Sequence, residues 1–322
     1  MIVTSCPLRI SLAGGSTDLE DFLKKNGSGS VISFSSNLRT YISLHADVLG
    51  INRLKNNYVI NYSQREEETH LKDIKNDIAR VVLEYFQCGP VCCSFTSDVF
   101  SSGSGLASSS SYLISFIKAV ALYQGKKLSD FEVCDLALKL ERQFNPLTGQ
   151  QDTYGCGLGS LKRLTFYPDR PPTTNYLPQS LFEEINMFLL FSDIRRNSTT
   201  VLNEVSRKGI VDRLPLLDIV DQTEEAIITA NRELFYKCVS QGWDIKKQTS
   251  PMVIENEELQ KLDKILDNSE QVRAHRLCGA GNGGFFLLFT DKGKKPEKDI
   301  LSLNKSLIEV TISEDGLRGT TL

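Results

Sequence analysis

A tract rich in serine and glycine, SSGSGLASSSS at residues 101–111, is the strongest chemical signal in this sequence. Glycines allow backbone amides to turn toward an anion, and serine hydroxyls can donate to phosphate or bind Mg²⁺. A helical pattern of apolar residues follows at once, and the N-terminal end of a helix attracts anions. The tract therefore predicts a phosphate-binding loop, although a flexible loop with a serine N-cap has a similar composition. The expected nucleotide contacts are Gly103, Ser104, Gly105, Leu106, Ala107, Ser108 and Ser109.

Two carboxylates further along the chain, Glu141 and Asp152, have the chemistry to accompany such a loop. We predict Glu141 near the end of a helix over residues 131–144, and Asp152 in a glycine-flanked loop over residues 149–155. In phosphoryl transfer from Mg²⁺–ATP, one carboxylate can hold the metal and another can accept a proton from the attacking hydroxyl. Carboxylates on a surface helix and in a turn are also common without any such function.

Glycines and polar residues also follow the first apolar alternation of the chain. Residues 3–12 are predicted as a strand that contains Arg9 and ends at a glycine turn. Asp18, just after that turn, could accept hydrogen bonds from sugar hydroxyls, or it could cap a helix that begins near Leu19. The expected substrate contacts in this segment are Gly14, Gly15, Thr17 and Asp18.

A second glycine turn, GAGNGG at residues 279–284, matches the letters of a dinucleotide-binding motif. That motif requires a helix after the glycines, within a βαβ unit. Here the apolar run FFLLF follows, which is typical of a strand, so the sequence argues against a nicotinamide cofactor. A turn packed against a ligand or another loop fits better, and the expected substrate contacts are Gly279, Ala280 and Gly281.

The periodicity of apolar residues predicts the elements that must position these groups. Strands are expected over residues 3–12, 30–45, 57–63, 91–96 and 187–192, and helices over residues 19–25, 74–87, 110–123 and 131–144. Prolines in the segment 167–178 indicate a connection between two halves. The expected class is α+β, with one domain over residues 1–170 and a second over residues 171–322.

The composition argues against several classes of protein. The 322 residues carry a net charge of −3 with no basic surplus, which disfavours a nucleic-acid partner. The apolar run at residues 285–289 is far shorter than a membrane-spanning helix, and the first residues do not resemble a signal peptide. Eight scattered cysteines indicate thiols in a reducing compartment, so we expect a cytoplasmic protein. A metal cluster at Cys88, Cys92 and Cys93 is the alternative for the one group of cysteines.

In their order along the chain, these segments resemble the motifs of the GHMP kinase superfamily. The similar segments are PLRISLAGGSTDLEDF (residues 7–22), GSGLASSS (residues 103–110) and RLCGAGNGGFFLLF (residues 276–289). The resemblance implies a two-lobed fold with the active site in the cleft between the lobes. The N-terminal lobe would be a ribosomal-S5-like α/β lobe, and the C-terminal lobe a ferredoxin-like α+β lobe.

The resemblance also implies roles for individual residues. Asp152 matches the catalytic aspartate of the superfamily, and Arg9 would keep that carboxylate ionised and oriented. Ser108 and Glu141 match the Mg²⁺ ligands, and residues 103–109 match the loop that binds ATP. The implied reaction transfers the γ-phosphate of ATP to a sugar hydroxyl, with ATP and Mg²⁺ both required.

Within the superfamily, the first motif and the segment GQQDTYG at residues 149–155 are most similar to D-glycero-D-manno-heptose 7-phosphate kinases. Such a kinase phosphorylates the anomeric O1 and makes a heptose 1,7-bisphosphate for GDP-heptose synthesis. The 7-phosphate would need cations, for which Arg195 and Arg196, or Lys162 and Arg163, are candidates. Two alternatives stay open, namely a kinase of an unphosphorylated sugar such as fucose and a non-catalytic sensor of sugar and ATP on a kinase scaffold. A homodimer is also left open.

Overall fold

The computed structural model describes residues 1–46, 57–99, 103–194, 204, 213–296 and 305–322. The strands in these residues are β1 (Ile2–Gly14), β2 (Gly29–His45), β3 (Tyr58–Asn61), β4 (Arg65–Glu68), β5 (Cys92–Ser97), β6 (Leu161–Phe166), β7 (Thr173–Tyr176), β8 (Ile185–Phe191), β9 (Ala274–Leu277), β10 (Phe285–Asp291), β11 (Leu307–Val310) and β12 (Arg318–Thr321). The helices include α1 (Glu20–Asn26), α2 (Asp77–Tyr85), α3 (Ser108–Tyr123), α4 (Asp130–Phe144), α5 (Gln151–Gly157), α6 (Ser180–Glu183), α7 (Pro215–Ile228), α8 (Arg232–Thr249) and α9 (Glu257–Asp267). The α+β class expected from the sequence is confirmed.

The first half of the chain is built around one mixed sheet. Its strands follow the order β12, β1, β2, β5, β3 and β4, and β6 and β7 extend it from β2. The register between β1 and β2 shifts just before Arg9 and again just after Ser11. Because bulges bend a strand and re-aim its side chains, residues 9–11 form a short regular stretch between two bends. Arg9 and Ser11 therefore point to the same face of β1.

Helices α2, α3 and α4 cover this sheet with a continuous apolar core. Helix α3 is buried on more than the one apolar face that the sequence pattern predicted, since residues 113–117 are all buried. Helix α4 begins at a capping box, in which Ser129 and Glu132 each bond the other's backbone amide. Glu141 lies about three turns after this start, at the opposite end of the helix.

The second half centres on an antiparallel sheet with the strand order β11, β8, β10 and β9. On one face of β10, Phe285, Leu287 and Phe289 belong to a core shared with β1, β2, α7 and α8. On the other face, Phe286 and Leu288 pack in a cluster with residues of α8 and α9. Since alternate residues of a strand point to opposite faces, this double burial accounts for the continuous run FFLLF.

Two strands cross the boundary that the sequence suggested. Strand β7 lies in the proline-containing segment interpreted as a connection, yet it pairs with β6 in the first sheet. Strand β12, close to the C-terminus, returns to pair with β1. The division into residues 1–170 and 171–322 therefore stays a prediction about two lobes, and the first sheet takes strands from both sides of it.

Two further features bear on the expectations from composition. Within the described ranges, no helix is both long enough and apolar enough to cross a membrane. No disulfide joins any of the eight cysteines, all of which lie in described segments. In the cluster of Cys88, Cys92 and Cys93, burial raises the pKa of Cys88 to about 11, so this thiol is neutral at physiological pH. A neutral buried thiol packs as a small apolar group.

Candidate active site

A cleft of about 370 Å³ lies where elements of both halves meet. Its walls are formed by the end of β1, the segment that leads into α3, the end of α4, the start of α5, one residue of α8 and the turn after β9. Most of the residues singled out in the sequence line this one cleft. They are Arg9, Gly14, Gly15, Asp18, Gly103, Ser104, Gly105, Ala107, Ser108, Ser109, Glu141, Asp152, Gly279 and Ala280.

The serine–glycine loop opens directly into the first turn of α3. The N-cap residue is Ala107, which has a left-handed φ of 60° and makes no side-chain capping bond. The alternative of a serine N-cap is therefore wrong, and in the described part of the chain no capping side chain bonds the first amides of this 16-residue helix. Amides that a helix leaves unsatisfied at its N-terminus are donors for a bound anion.

Both halves of the protein fix the conformation of this loop. The backbone amide of Arg9 donates to the Leu106 carbonyl at 3.1 Å, and the amide of Phe285 donates to the Ser104 carbonyl at 3.0 Å. The Ser104 and Ser108 hydroxyls form a hydrogen bond of 3.0 Å. A loop held at several points presents its amides in one arrangement, which lowers the entropic cost of binding an anion.

Asp152 and Arg9 form an ion pair in the cleft, between the Asp152 Oδ1 and Arg9 Nη2 atoms. The Asp152 side chain is 30% exposed, whereas that of Arg9 is 3% exposed, so the carboxylate faces the cleft and the guanidinium lies behind it. Arg9 Nη1 also approaches the Gly105 carbonyl at 3.4 Å. The prediction of a loop at Asp152 is wrong, because this residue lies in the first turn of α5.

Asp18 positions the start of α5. The N-cap of α1 is Leu19, without a side-chain capping bond, so the interpretation of Asp18 as a cap is wrong. The Asp18 carboxylate instead accepts from the Gln151 backbone amide at 3.0 Å and from Gln151 Nε2 at 3.2 Å. Burial raises the pKa of Asp18 to about 6, against the lowering effect of the bond from the Gln151 amide. These bonds fix the position of Gln151, the residue that precedes Asp152.

Glu141 is a buried carboxylate at the C-terminal end of α4. Its side chain accepts a hydrogen bond of 2.6 Å from the Ser110 hydroxyl, and the residue is 2% exposed. Burial raises the pKa of Glu141 to about 7, although bonds from Ser110 and Thr148 oppose the shift. No cationic side chain in the described segments pairs with it. A buried carboxylate without a cation of its own suits a site that receives a metal ion.

The raised pKa of Glu141 gives a prediction for stability. In the unfolded chain a glutamate titrates near ~4.3, so between that pH and about 7 the folded protein binds more protons at this position. Its free energy of unfolding should therefore fall as the pH rises through this window. In Glu141→Gln the fall should be smaller, since among the carboxylates that the structure describes only Asp18 then contributes in the same direction. The metal-free variant should be more stable than wild type at pH 8 by about 1–3 kcal/mol.

Urea unfolding of the metal-free protein at pH 5 and pH 8 measures this difference. Glu84→Gln removes an exposed carboxylate of α2 and is the matched control, for which we expect the wild-type pH dependence. Equal pH dependences for wild type and Glu141→Gln would contradict the prediction.

Some residues predicted for the site do not line the cleft. The Thr17 hydroxyl donates to the Ser30 carbonyl at 3.0 Å, Leu106 contributes to the core, and Gly281 packs against the Val253 backbone. Arg195 and Arg196 lie outside the described residues.

The two other candidates for a phosphate site are engaged elsewhere. Lys162 is fully buried and donates to the carbonyls of Gly155, Gly159 and Ser160 at 3.1, 2.6 and 3.2 Å. Arg163 pairs with Asp221 at 2.7 Å and also with Glu224. Neither cation lines the cleft.

The cleft is also lined by polar residues that sequence reasoning did not select, among them Ser11, Lys246 and Arg276. Ser11 follows Arg9 by two residues in a predicted strand. Because alternate residues of a strand point to the same face, the sequence pattern could have placed Ser11 in the site beside Arg9. Arg276 lies just before the second glycine turn, within the third motif. Lys246 belongs to α8 and carries no local signal.

Comparisons with known proteins identify what this chain is similar to. Residues 73–160 match the family model of the GHMP kinases N terminal domain. Over 315 residues the chain is 27% identical to a D-glycero-alpha-D-manno-heptose 7-phosphate kinase from Campylobacter jejuni, with 91% of each protein covered.

Solved structures share the fold. One is a D-glycero-D-manno-heptose 1-phosphate kinase from Bacteriodes thetaiotaomicron, with a TM-score of 0.76, 19% identity, and coverage of 100% of this chain and 99% of the other. Another is a phosphomevalonate kinase from Streptococcus pneumoniae, solved with phosphomevalonate and AMPPNP, with a TM-score of 0.78, 11% identity, and coverage of 97% and 99%. The two-lobed fold that the family resemblance implied is confirmed.

The matched segment contains the described part of the serine–glycine loop together with Glu141 and Asp152, which the fold brings into one cleft. The resemblance stated from the motifs is thus confirmed by independent comparisons. The chain carries a GHMP kinase N-terminal domain in the fold of that superfamily, and it is a kinase, a phosphotransferase with an alcohol group as acceptor.

Proposed function

We propose that this kinase transfers the γ-phosphate of ATP to the anomeric O1 of D-glycero-D-manno-heptose 7-phosphate, giving the 1,7-bisphosphate for GDP-heptose synthesis. The chain-long similarity to a heptose 7-phosphate kinase supports this choice of acceptor. The observation that carries the proposal is the Asp152 carboxylate, which is held by Arg9 and faces the same cleft as the serine–glycine loop.

The geometry supports a direct transfer. The amides that precede and begin α3 bind the phosphates of ATP, and the acceptor hydroxyl lies next to Asp152. Asp152 accepts the proton of O1, or steers it, as the oxygen attacks the γ-phosphorus atom and the bond to the β-phosphate oxygen breaks. Arg9 holds the carboxylate in position through the ion pair and keeps it close to the loop through its contact with Gly105.

The oxygen donors of the cleft fit Mg²⁺. The Glu141 carboxylate and the Ser108 hydroxyl both line it, and hard oxygen ligands are those that Mg²⁺ prefers. When bound there, the ion would offset negative charge on the phosphates of the nucleotide. The chain's own contribution is to keep Glu141 buried and oriented by the Ser110 hydroxyl.

A panel of acceptors with detection of released ADP tests the proposal. The panel contains the heptose 7-phosphate, the same heptose without phosphate, mannose 6-phosphate, mannose, fucose and mevalonate. We expect kcat/KM to be highest for the heptose 7-phosphate, and ³¹P NMR to show a new phosphate at the anomeric carbon. A preference for fucose, phosphorylation at another hydroxyl, or no ADP release with any sugar would refute the proposal.

A further inference from the structure

Arg276 is a buried cation in the wall of the cleft without an acidic partner. It is 2% exposed, and Nη1 donates to the Leu12 carbonyl, whereas Nε has no hydrogen-bond partner. No carboxylate of the described segments lies within ion-pair distance of this guanidinium. Burial lowers the pKa of Arg276 to about 10, so the group stays charged at neutral pH.

The partners of the other buried arginines in the described structure differ from those of Arg276. Arg9 pairs with Asp152, and Arg213 pairs with Asp21. Arg39 donates to carbonyl oxygens of Ser5, Asp315 and Gly316 and to the Ser5 hydroxyl. A buried charge costs free energy unless it is paired and fully hydrogen-bonded. Of these four, Arg276 is the one that has neither an acidic partner nor more than one hydrogen bond in the described structure, and it lines the cleft.

Ser11 lines the same cleft as this cation. The residue is 5% exposed, and its hydroxyl has no hydrogen-bond partner in the described part of the chain. Leu12, which accepts the bond from Arg276, is the next residue in β1. The Ser11 hydroxyl and the Arg276 Nε atom, both without a hydrogen-bond partner, thus belong to two buried residues that line one cleft. Together they offer donors of the type that bind a phosphate group.

The position of Ser11 in β1 places this residue further from the nucleotide loop than Arg9. The backbone of Arg9 bonds the loop at Leu106, and its side chain holds Asp152, so Arg9 marks the reacting centre. Ser11 follows it by two residues, about 6.6 Å further along the strand toward the turn at Gly14 and Gly15. An anion bound at Ser11 would therefore lie toward this turn, where we expect the acceptor to bind.

We infer that Arg276, together with the Ser11 hydroxyl, binds an anionic group of the acceptor, a phosphate monoester distant from the reacting hydroxyl. This inference rests on the proposed function, and it makes Arg276 a residue that determines specificity for phosphorylated sugars. It assigns the phosphate site to residues other than Lys162 and Arg163, whose side chains are engaged inside the protein and in ion pairs.

Arg276→Met tests the inference through the ratio of kcat/KM for a phosphorylated acceptor to kcat/KM for the same acceptor without phosphate. For each variant, kcat/KM is measured for the heptose 7-phosphate and for the same heptose without phosphate. Charge-assisted hydrogen bonds are worth enough that we expect the ratio to fall about 10- to 150-fold, through the KM of the phosphorylated acceptor. The KM of ATP should stay within about twofold of wild type, and Arg276→Lys should restore part of the ratio because it keeps the charge.

Thermal unfolding separates binding from a structural role. Removing an uncompensated buried charge should leave the Tm of the unliganded protein unchanged or raise it. Arg163→Met is the matched control, and there the ratio should not change. An equal loss for both acceptors, a comparable rise in the KM of ATP, or an unchanged ratio in Arg276→Met would overturn the inference. If that variant does not fold, the same ratio measured for Ser11→Ala, with an expected fall of about 3- to 10-fold, decides the question.

One further measurement distinguishes failure of this inference from failure of the proposed function. With ADP and Mg²⁺ at saturation, inorganic phosphate should raise the Tm of wild type but not that of Arg276→Met. If no sugar supports ADP release while this phosphate effect is present and depends on Arg276, the proposed function fails and the anion site stands. If sugars support ADP release but phosphate has the same effect on both proteins, the inference fails and the proposed function stands.

Discussion

Replacing Asp152 by asparagine should lower kcat by about 10²- to 10⁴-fold, the usual contribution of a positioned acid–base group. Asparagine has nearly the same shape but accepts no proton and carries no charge to steer one. The affinity for ATP should stay close to wild type, because the expected phosphate contacts come from the loop and from the first amides of α3. Single-turnover kinetics and calorimetric titration with AMPPNP measure the two quantities separately.

The substitution also leaves Arg9, whose side chain is 3% exposed, without its carboxylate partner. Some loss of stability is therefore expected, and kinetics must be measured well below the Tm of the variant. Asp169→Asn changes an exposed aspartate and serves as the control for the chemical change. Turnover of Asp152→Asn within about tenfold of wild type, in a folded protein, would be incompatible with the role given to this carboxylate.

Replacing Gly105 by alanine should lower the affinity for ATP by at least about tenfold and also lower stability. Gly105 has a φ of 86°, and a Cβ atom at this position would lie 2.6 Å from the Cys278 carbonyl oxygen. That oxygen belongs to the backbone next to the second glycine turn, so it cannot move without displacing the turn. The serine–glycine loop must then shift, and the amides that we expect to bind the phosphates of ATP shift with it.

Gly125→Ala is the matched control for this experiment. Gly125 has a φ of 68°, and a Cβ atom there would meet no heavy atom within 4 Å. Its substitution therefore costs only the strain of a left-handed backbone, about 1–2 kcal/mol. Urea unfolding and AMPPNP titration of both variants isolate the effect of the close contact. If the two variants lost equal stability and both kept wild-type nucleotide affinity, close packing of the loop on the turn would have no functional importance.

Helix α5 shows where local sequence patterns mislead. Its seven residues, QDTYGCG, include two glycines, which have a poor intrinsic preference for a helix, and the segment was therefore predicted as a loop. In the folded protein a Cβ atom on Gly155 would lie 2.5 Å from Arg9 Cγ, and one on Gly157 would lie 2.2 Å from Cys134 Sγ. The glycines allow this helix to pack closely against β1 and α4. Tertiary contacts outweigh propensity here.

The sequence alone determined the local features of this protein. The serine–glycine loop, the apolar stripes of α2 and α4, and the strand after the second glycine turn all follow from residue types and their spacing, because each depends on neighbours within a few residues. The choice of Glu141 and Asp152 also came from the sequence, with the help of the family resemblance.

Tertiary structure decided which side chains meet. The Arg9–Asp152 pair joins residues 143 positions apart, and the bond from Arg276 to Leu12 joins residues 264 positions apart. Local pattern contains no information on such contacts, because they depend on how β1 packs between the helices of the first half and the sheet of the second. Burial with neither an acidic partner nor a full set of hydrogen bonds, which distinguishes Arg276, is likewise a property of the folded chain and not of its neighbours in sequence.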